Sequence, residues 1–216
     1  MNWDWIASNS GRIGSLALDH LALSLPAVVA AFAIAVPLGW LAQRSRRLRE
    51  VVVTATSLIY VIPSLAMFVL LPLVLGTSVL SPANVVVAMT LYGVALMVRS
   101  AADSFGAVPE AVRQSALAAG YSPARRALGV DLPLAGPGLL AGVRVVAAST
   151  ISLVSVGSLI GVQSLGTLFT EGFQRSFPTQ ILTGILGTIV LALLVDATLL
   201  IFGRLLMPWT AREGVQ

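Results

Sequence analysis

Residues 51–98 read VVVTATSLIYVIPSLAMFVLLPLVLGTSVLSPANVVVAMTLYGVALMV, 48 residues without one charged side chain. A helix rises ~1.5 Å per residue, so ~20 apolar residues cross a ~30 Å hydrocarbon core. The stretch is therefore too long for one crossing and long enough for two. Gly76-Thr77-Ser78 and Ser81-Pro82 carry the turn chemistry that divides it, giving expected spans at 51–75 and 83–100. Outward from this pair the pattern repeats. Residues 21–43 are uncharged and form a first span, a fourth is expected at 137–160, and a fifth at 181–207 is interrupted by Asp196 and Arg204. Over all 216 residues the chain is 57% hydrophobic and 10% charged, with a mean hydropathy of +0.93. A soluble domain of this length cannot hide that much apolar surface. The expectation is an all-α integral membrane protein of five transmembrane helices, with a single membrane domain over 21–207. Residues 1–20 lack a basic leader and an A-x-A-like cleavage site, so they are read as an external interfacial lead-in, and 208–216 as a cytoplasmic tail.

Composition also excludes several chemistries. All thirteen basic residues are arginine, and a phosphate-binding Walker A loop requires lysine, so the chain cannot hold nucleotide in that way. With no cysteine and the single His20, thiolate and multi-histidine metal sites are excluded too. His20, beside Asp19 near a helix start, is read as structural or interfacial. No Ser-His-Asp or metal-ligand spacing points to a membrane enzyme, and no nucleic-acid partner is expected.

The arginines orient the chain. Arg44, Arg46, Arg47, Arg49, Arg99, Arg113, Arg125, Arg126, Arg144, Arg204 and Arg212 fall on one side, against Arg12 and Arg175 on the other. Basic residues near span ends favour the cytoplasm, which puts the N-terminus outside and the C-terminus inside. Trp40 and Trp209 would sit at the inner interface, Trp3 and Trp5 at the outer.

Polar groups within the spans are few. Asp196 lies roughly 16 Å from the inner end of its span by helix rise, where an unpaired carboxylate costs at least ~2.5 kcal/mol. It should face the bundle, with Arg144 as the first candidate partner and Arg99 as the second. The alternative is a proton relay, although no second carboxylate lies at similar depth. Ser149, Ser152, Ser155 and Ser158 recur every third residue, suited either to close helix packing or to lining a pathway. Pro63-Ser64 breaks the middle of the second span and frees backbone carbonyls, tolerated only beside protein or a water-lined cavity. Ile62, Pro63, Ser64, Leu65, Met67 and Phe68 are thus candidates for a gate or pathway wall, the alternative being a kink for packing.

The connection between the third and fourth spans is too long to lack structure of its own. Pro109 suits a first helical position, with Val112, Ala116 and Ala119 at helical spacing after it. Gly120 reads as the left-handed residue ending that helix, with Tyr121 folding back on it. Ser122 then reads as an N-cap and Pro123 as the first residue of a second helix, carrying Arg125 and Arg126 and stopping before Pro133. A helical hairpin over 109–133 could lie on the inner leaflet or dock a soluble partner.

Here the sequence resembles a known family. Gly120, nine residues, Val130, one residue and Leu132-Pro133 match the spacing of the EAA loop of ABC-importer permeases. At its head Gln114-Ser115-Ala116 stands for Glu-Ala-Ala, with Glu110 one helical turn earlier. The stretches HLALSLPAVVAAFAIAVPLGWLAQRS at 20–45, IPSLAMFVLLPLVLG at 62–76, LYGVALMVRSAADSFGAVP at 91–109 and LAGVRVVAAS at 140–149 resemble the osmoprotectant branch, whose solutes are glycine betaine, choline and carnitine. The resemblance covers roughly 20–207 and implies the type I ABC importer permease fold.

It also implies that two permease chains, identical or paralogous, form the pathway in a bacterial inner membrane. Each would insert its EAA helix into a cytoplasmic ATPase subunit, and a substrate-binding protein would deliver solute from outside. ATP and Mg would then sit on the partner ATPase, with no cofactor on this chain. The implied coupling residues are Glu110, Val112, Arg113, Gln114, Ser115, Ala116, Ala119, Gly120, Tyr121, Leu132 and Pro133. The chain's few aromatics offer no obvious cage for a quaternary ammonium, so selectivity is expected to reside in the binding protein. A methionine or other amino-acid permease shares the span count and loop, and a self-sufficient carrier or channel is the alternative of another class.

Overall fold

The computed structural model describes residues 1–209, and every regular element among them is helical. In chain order these are α1 (Trp3–Ser8), α2 (Ser10–Ala42), α3 (Arg46–Val61), α4 (Ser64–Leu75), α5 (Pro82–Gly106), α6 (Glu110–Ala118), α7 (Pro123–Arg126), α8 (Leu132–Val154), α9 (Gly166–Gln174) and α10 (Pro178–Leu206). Arg212 and residues 210–216 of the expected tail lie outside the described residues.

Helices α2, α5, α8 and α10 are each long and apolar enough to cross a membrane, and the bent pair α3–α4 makes a fifth crossing if counted as one. The second span, expected at 51–75 with a break at Pro63-Ser64, is broken there into two helices. It starts at Arg46 and turns by 101° between Val61 and Ser64. Pro63 has no N–H to continue the ladder and forces Ile62 out of the helical region; Ile62 accordingly sits at φ −67°, ψ 125°. The two pieces, about 24 and 18 Å long by rise, each fall short of ~30 Å.

The other boundaries shift for local reasons. Residues 10–20 are not a separate lead-in, because nothing after Asn9 stops the helix and Leu16 and His20 are already buried. Pro133 does not end the second hairpin helix. A π turn over Ala127–Asp131 widens the ladder to i→i+5 bonds just where the proline leaves no donor, so α7 runs on into α8. The fourth span therefore begins by Leu132, and beyond Val154 it tightens into a 3₁₀ turn over Ser155–Ile160. Helix α9 was not anticipated at all.

The core lies where α5 is wrapped by α2, α3 and α8. Small side chains permit that closeness. A Cβ on Gly39 would lie 2.5 Å from the Cβ of Ala101, so α2 and α5 touch almost backbone to backbone. Phe68, Met89, Met97 and Phe105 fill the remaining space and are fully or nearly fully buried.

Candidate functional site

Helix α6 and its turn form a protrusion at the arginine-rich end of the bundle. Its stop is a complete Schellman motif: the Tyr121 N–H donates to the Ala116 carbonyl at 3.0 Å and the Gly120 N–H to the Leu117 carbonyl at 2.9 Å. Gly120 sits at φ +77°, with open space where a Cβ would project, so glycine is required there by backbone conformation and not by crowding. Ser122 then caps α7 through the Arg125 N–H at 3.3 Å, and the Arg125 guanidinium stacks 4.7 Å from the Tyr121 ring centroid.

The expected coupling residues do not share one face. Glu110, Val112, Gln114, Ser115, Ala119 and Gly120 are exposed, while Ala116 is buried and Tyr121 half-buried. Arg113 turns inward, its Nε 3.3 Å from Asp131 Oδ1 and its Nη1 3.7 Å from Glu110. Leu132 and Pro133 are half-buried at the start of α8, behind the hairpin and not on its outer surface. The outward face is thus made of Gln114, Ser115, Leu117 and small alanines, a surface another chain can approach closely.

Sequence reasoning missed Asp131. Its carboxylate is fully buried and accepts hydrogen bonds from Arg113 of α6 and from the Trp40 indole N–H of α2 at 3.5 Å, while Arg126 of α7 pairs with it by charge alone, its Nε at 3.6 Å. The signal was a lone acid five residues after Arg126, a spacing that shares a face only in a widened π turn.

Several other arginines lie at this end of the bundle. Arg49 pairs with Asp103, and Arg44 lies 3.8 Å over the Trp40 ring. Arg46, Arg49, Glu50 and Arg99 border a cavity of about 450 Å³ with Val53 and Thr54. Arg99, the second candidate for Asp196, is exposed there and does not reach it. Asp196 instead meets Arg144. At the opposite end of α2, Arg12 binds Glu171 of α9 at 2.5 Å and Gln180 donates to the same carboxylate at 2.8 Å. The Arg12 hydrogen bond holds the Glu171 carboxyl below its ordinary range, and Gln180 adds to this.

At the bend, the carbonyl of Ile62, turned out of the helix by the extended conformation that Pro63 imposes, accepts a hydrogen bond from the Tyr92 hydroxyl of α5 at 2.5 Å. Met67 and Phe68 turn into the core, Ser64 is half-buried, and Pro63 and Leu65 face outward. Of the serine stripe, Ser152 is exposed, whereas Ser155 is buried with its Oγ unpaired. The two do not form a continuous polar line, because α8 ends between them at Val154. Among the described residues no three of His, Cys, Asp and Glu group closely enough to hold a metal.

Comparison with known proteins gives this geometry its context. The chain is 31% identical over 196 residues to the osmoprotectant import permease protein OsmW of Salmonella typhimurium, covering 89% of this chain and 90% of that one. It is 28% identical over 211 residues to the glycine betaine/carnitine/choline transport system permease protein OpuCD of Bacillus subtilis, covering 97% and 91%. Among solved structures, an inward-facing form of the MetNI methionine ABC transporter superposes with a TM-score of 0.78 at 19% identity, over 87% of this chain and 92% of that one. This likeness concerns the fold alone. Residues 35–212 match the family described as binding-protein-dependent transport system inner membrane component, and the chain belongs to that family.

Proposed function

We propose that this chain is the permease subunit of an ATP-driven importer for quaternary ammonium osmolytes of the glycine betaine, choline and carnitine type. The observation that carries the reading is the extent of the match. One relative named for osmoprotectant import and one named for glycine betaine, carnitine and choline transport align over 89% and 97% of the chain at 31% and 28% identity, whereas the methionine transporter is alike in fold at 19%.

In this reading two permease chains, identical or paralogous, enclose one pathway, and lipid surrounds the spans. The arginine-rich end faces the cytoplasm, in keeping with the basic excess near its span ends. There α6 and the Gly120 turn enter a cleft on an ATPase subunit, which holds ATP and Mg, while this chain does no chemistry on nucleotide. Closure of the ATPase dimer moves the docked helices and opens the pathway outward to a solute-loaded binding protein. The bend at Ile62-Pro63, with Ser64, Leu65, Met67 and Phe68 beside it and Ser152 and Ser155 across the bundle, forms the wall that changes shape. A prolyl break held by one side-chain hydrogen bond can change angle at less cost than a continuous helix.

The test is uptake of radiolabelled glycine betaine by proteoliposomes containing the whole complex, with unlabelled betaine, choline, carnitine and methionine as competitors. Competition by the quaternary amines and none by methionine supports the assignment, and the reverse pattern overturns it.

A further inference from the structure

We infer that Asp131 is a positioning residue, the link through which movement of the α6–α7 hairpin reaches the spans α2 and α8. The inference rests on the reading of α6 as the ATPase contact, and goes beyond it by naming what lies behind that contact. Between hairpin and bundle the chain has two covalent routes, the short segment at Pro109 before α6 and the π turn after α7. The first is a short turn, and the second is one continuous helical run from Pro123 into α8. Asp131 adds a third, non-covalent route that ties four elements at one point.

Its geometry suits that task. The carboxylate has no exposure to solvent, and Arg113 and Arg126 keep only 13% and 20% of their side chains exposed. The Arg113 Nη2 also donates to the Phe105 carbonyl at 2.5 Å, so the same guanidinium holds the end of α5. The Trp40 indole brings in α2, and its ring carries the Arg44 guanidinium on its face. Asp131 itself lies in the π turn that runs directly into α8. One buried negative charge thus stands between two guanidiniums, with Glu110 reaching only Arg113 and from an exposed position. Neutralising Asp131 leaves two like charges, one on each helix of the hairpin, close together in a poorly solvated place, and removes the carboxylate that links both to α2 and to the start of α8.

The residues involved are not on the outer face of α6, which separates this role from docking. Removing the charge should weaken transmission while leaving the docking surface intact. A residue that merely stabilised the fold would lower the amount of protein without changing transport per ATP.

The experiment compares wild type, Asp131→Asn, Asp131→Glu and Arg126→Gln in the full complex. Three quantities are read: ATPase subunit recovered per permease, ATP hydrolysed, and labelled glycine betaine imported per ATP. Expected for Asp131→Asn is unchanged ATPase recovery with at least a ~10-fold drop in solute per ATP, Asp131→Glu restoring part of it. Arg126→Gln, at a partly exposed position, should give a smaller drop in the same ratio. It decides alone if Asp131→Asn does not accumulate. Unchanged solute per ATP in the variants that accumulate overturns the inference. So does loss of ATPase recovery, which would make Asp131 part of the docking fold itself. Failure of the wild-type chain to recover any ATPase would instead overturn the proposed function.

Discussion

Arg144 on α8 and Asp196 on α10 meet through two parallel hydrogen bonds, 2.6 Å from Nε to Oδ1 and 2.8 Å from Nη2 to Oδ2. Such a fork fixes direction as well as charge. It joins two spans whose other contacts are apolar and non-directional, and so sets their rotation about one another. Asp196→Asn should leave Arg144 uncompensated and reduce the folded permease recovered from membranes, while Arg144→Met/Asp196→Leu together should recover more than either single change. Yield and thermal midpoint in detergent check this. Normal yield with a pH-dependent loss of uptake in Asp196→Asn would favour a proton relay instead.

Gly120→Val should abolish coupling through the backbone. At φ +77° a β-branched residue is disfavoured by at least ~1–2 kcal/mol, so the Schellman turn opens and α6 loses its stop. Gly120→Asn, which tolerates the left-handed region, should retain most ATP-driven uptake. Equal uptake by both variants and wild type contradicts the role given to the turn.

Removing one oxygen tests the bend. Tyr92→Phe leaves the Ile62 carbonyl without its side-chain donor, a loss of about 1–3 kcal/mol where water does not replace it. The expected results are a lower thermal midpoint and faster proteolysis between α3 and α4. An unchanged midpoint would mean that packing of Met67 and Phe68 alone holds the angle.

The outer clamp has a pH signature. Because Arg12 lowers the folded-state pKa of Glu171, its contribution is present above the ordinary carboxylate value of ~4.3 and is lost as pH falls through the lowered folded value. Both side chains are partly exposed, so the effect is at most about 1 kcal/mol. Glu171→Gln should flatten the acid limb of the thermal midpoint against pH. An unaltered acid limb would show that other carboxylates set it.

How much of this could be read in advance depended on how locally each feature is determined. Uncharged runs separated by turn residues are a property of short windows, so the helical membrane fold was legible. Pro63 announced a break, but the 101° angle is reached among contacts distant in sequence, such as the Tyr92 hydroxyl thirty residues from Ile62, and was not legible. The partner of Asp196 could be named because charges are so scarce within the spans. Asp131 could not, because its partners come from residues 40, 113 and 126 and the π turn that aims it has no simple residue signature. Helix α9 escaped because its start is held by the Ser164 N–H on Thr167 Oγ1 and the Gly166 N–H on Ser164 Oγ, and because it begins inside the uncharged run 145–170 that reads as a continuation of the fourth span. Arg113 was named among the coupling residues on the family resemblance, which does not say that its side chain turns inward to Asp131.

The central claim is that this chain moves solute only when a partner ATPase drives the α6 hairpin. The most direct measurement is uptake of labelled glycine betaine into proteoliposomes, comparing the purified chain alone with the chain co-purified with its ATPase and supplied with ATP and binding protein. The account predicts no accumulation by the chain alone, ATP-dependent accumulation by the complex, and loss of that accumulation with Gly120→Val. Accumulation by the chain alone without ATP, or failure of any stable ATPase complex to form, would contradict it.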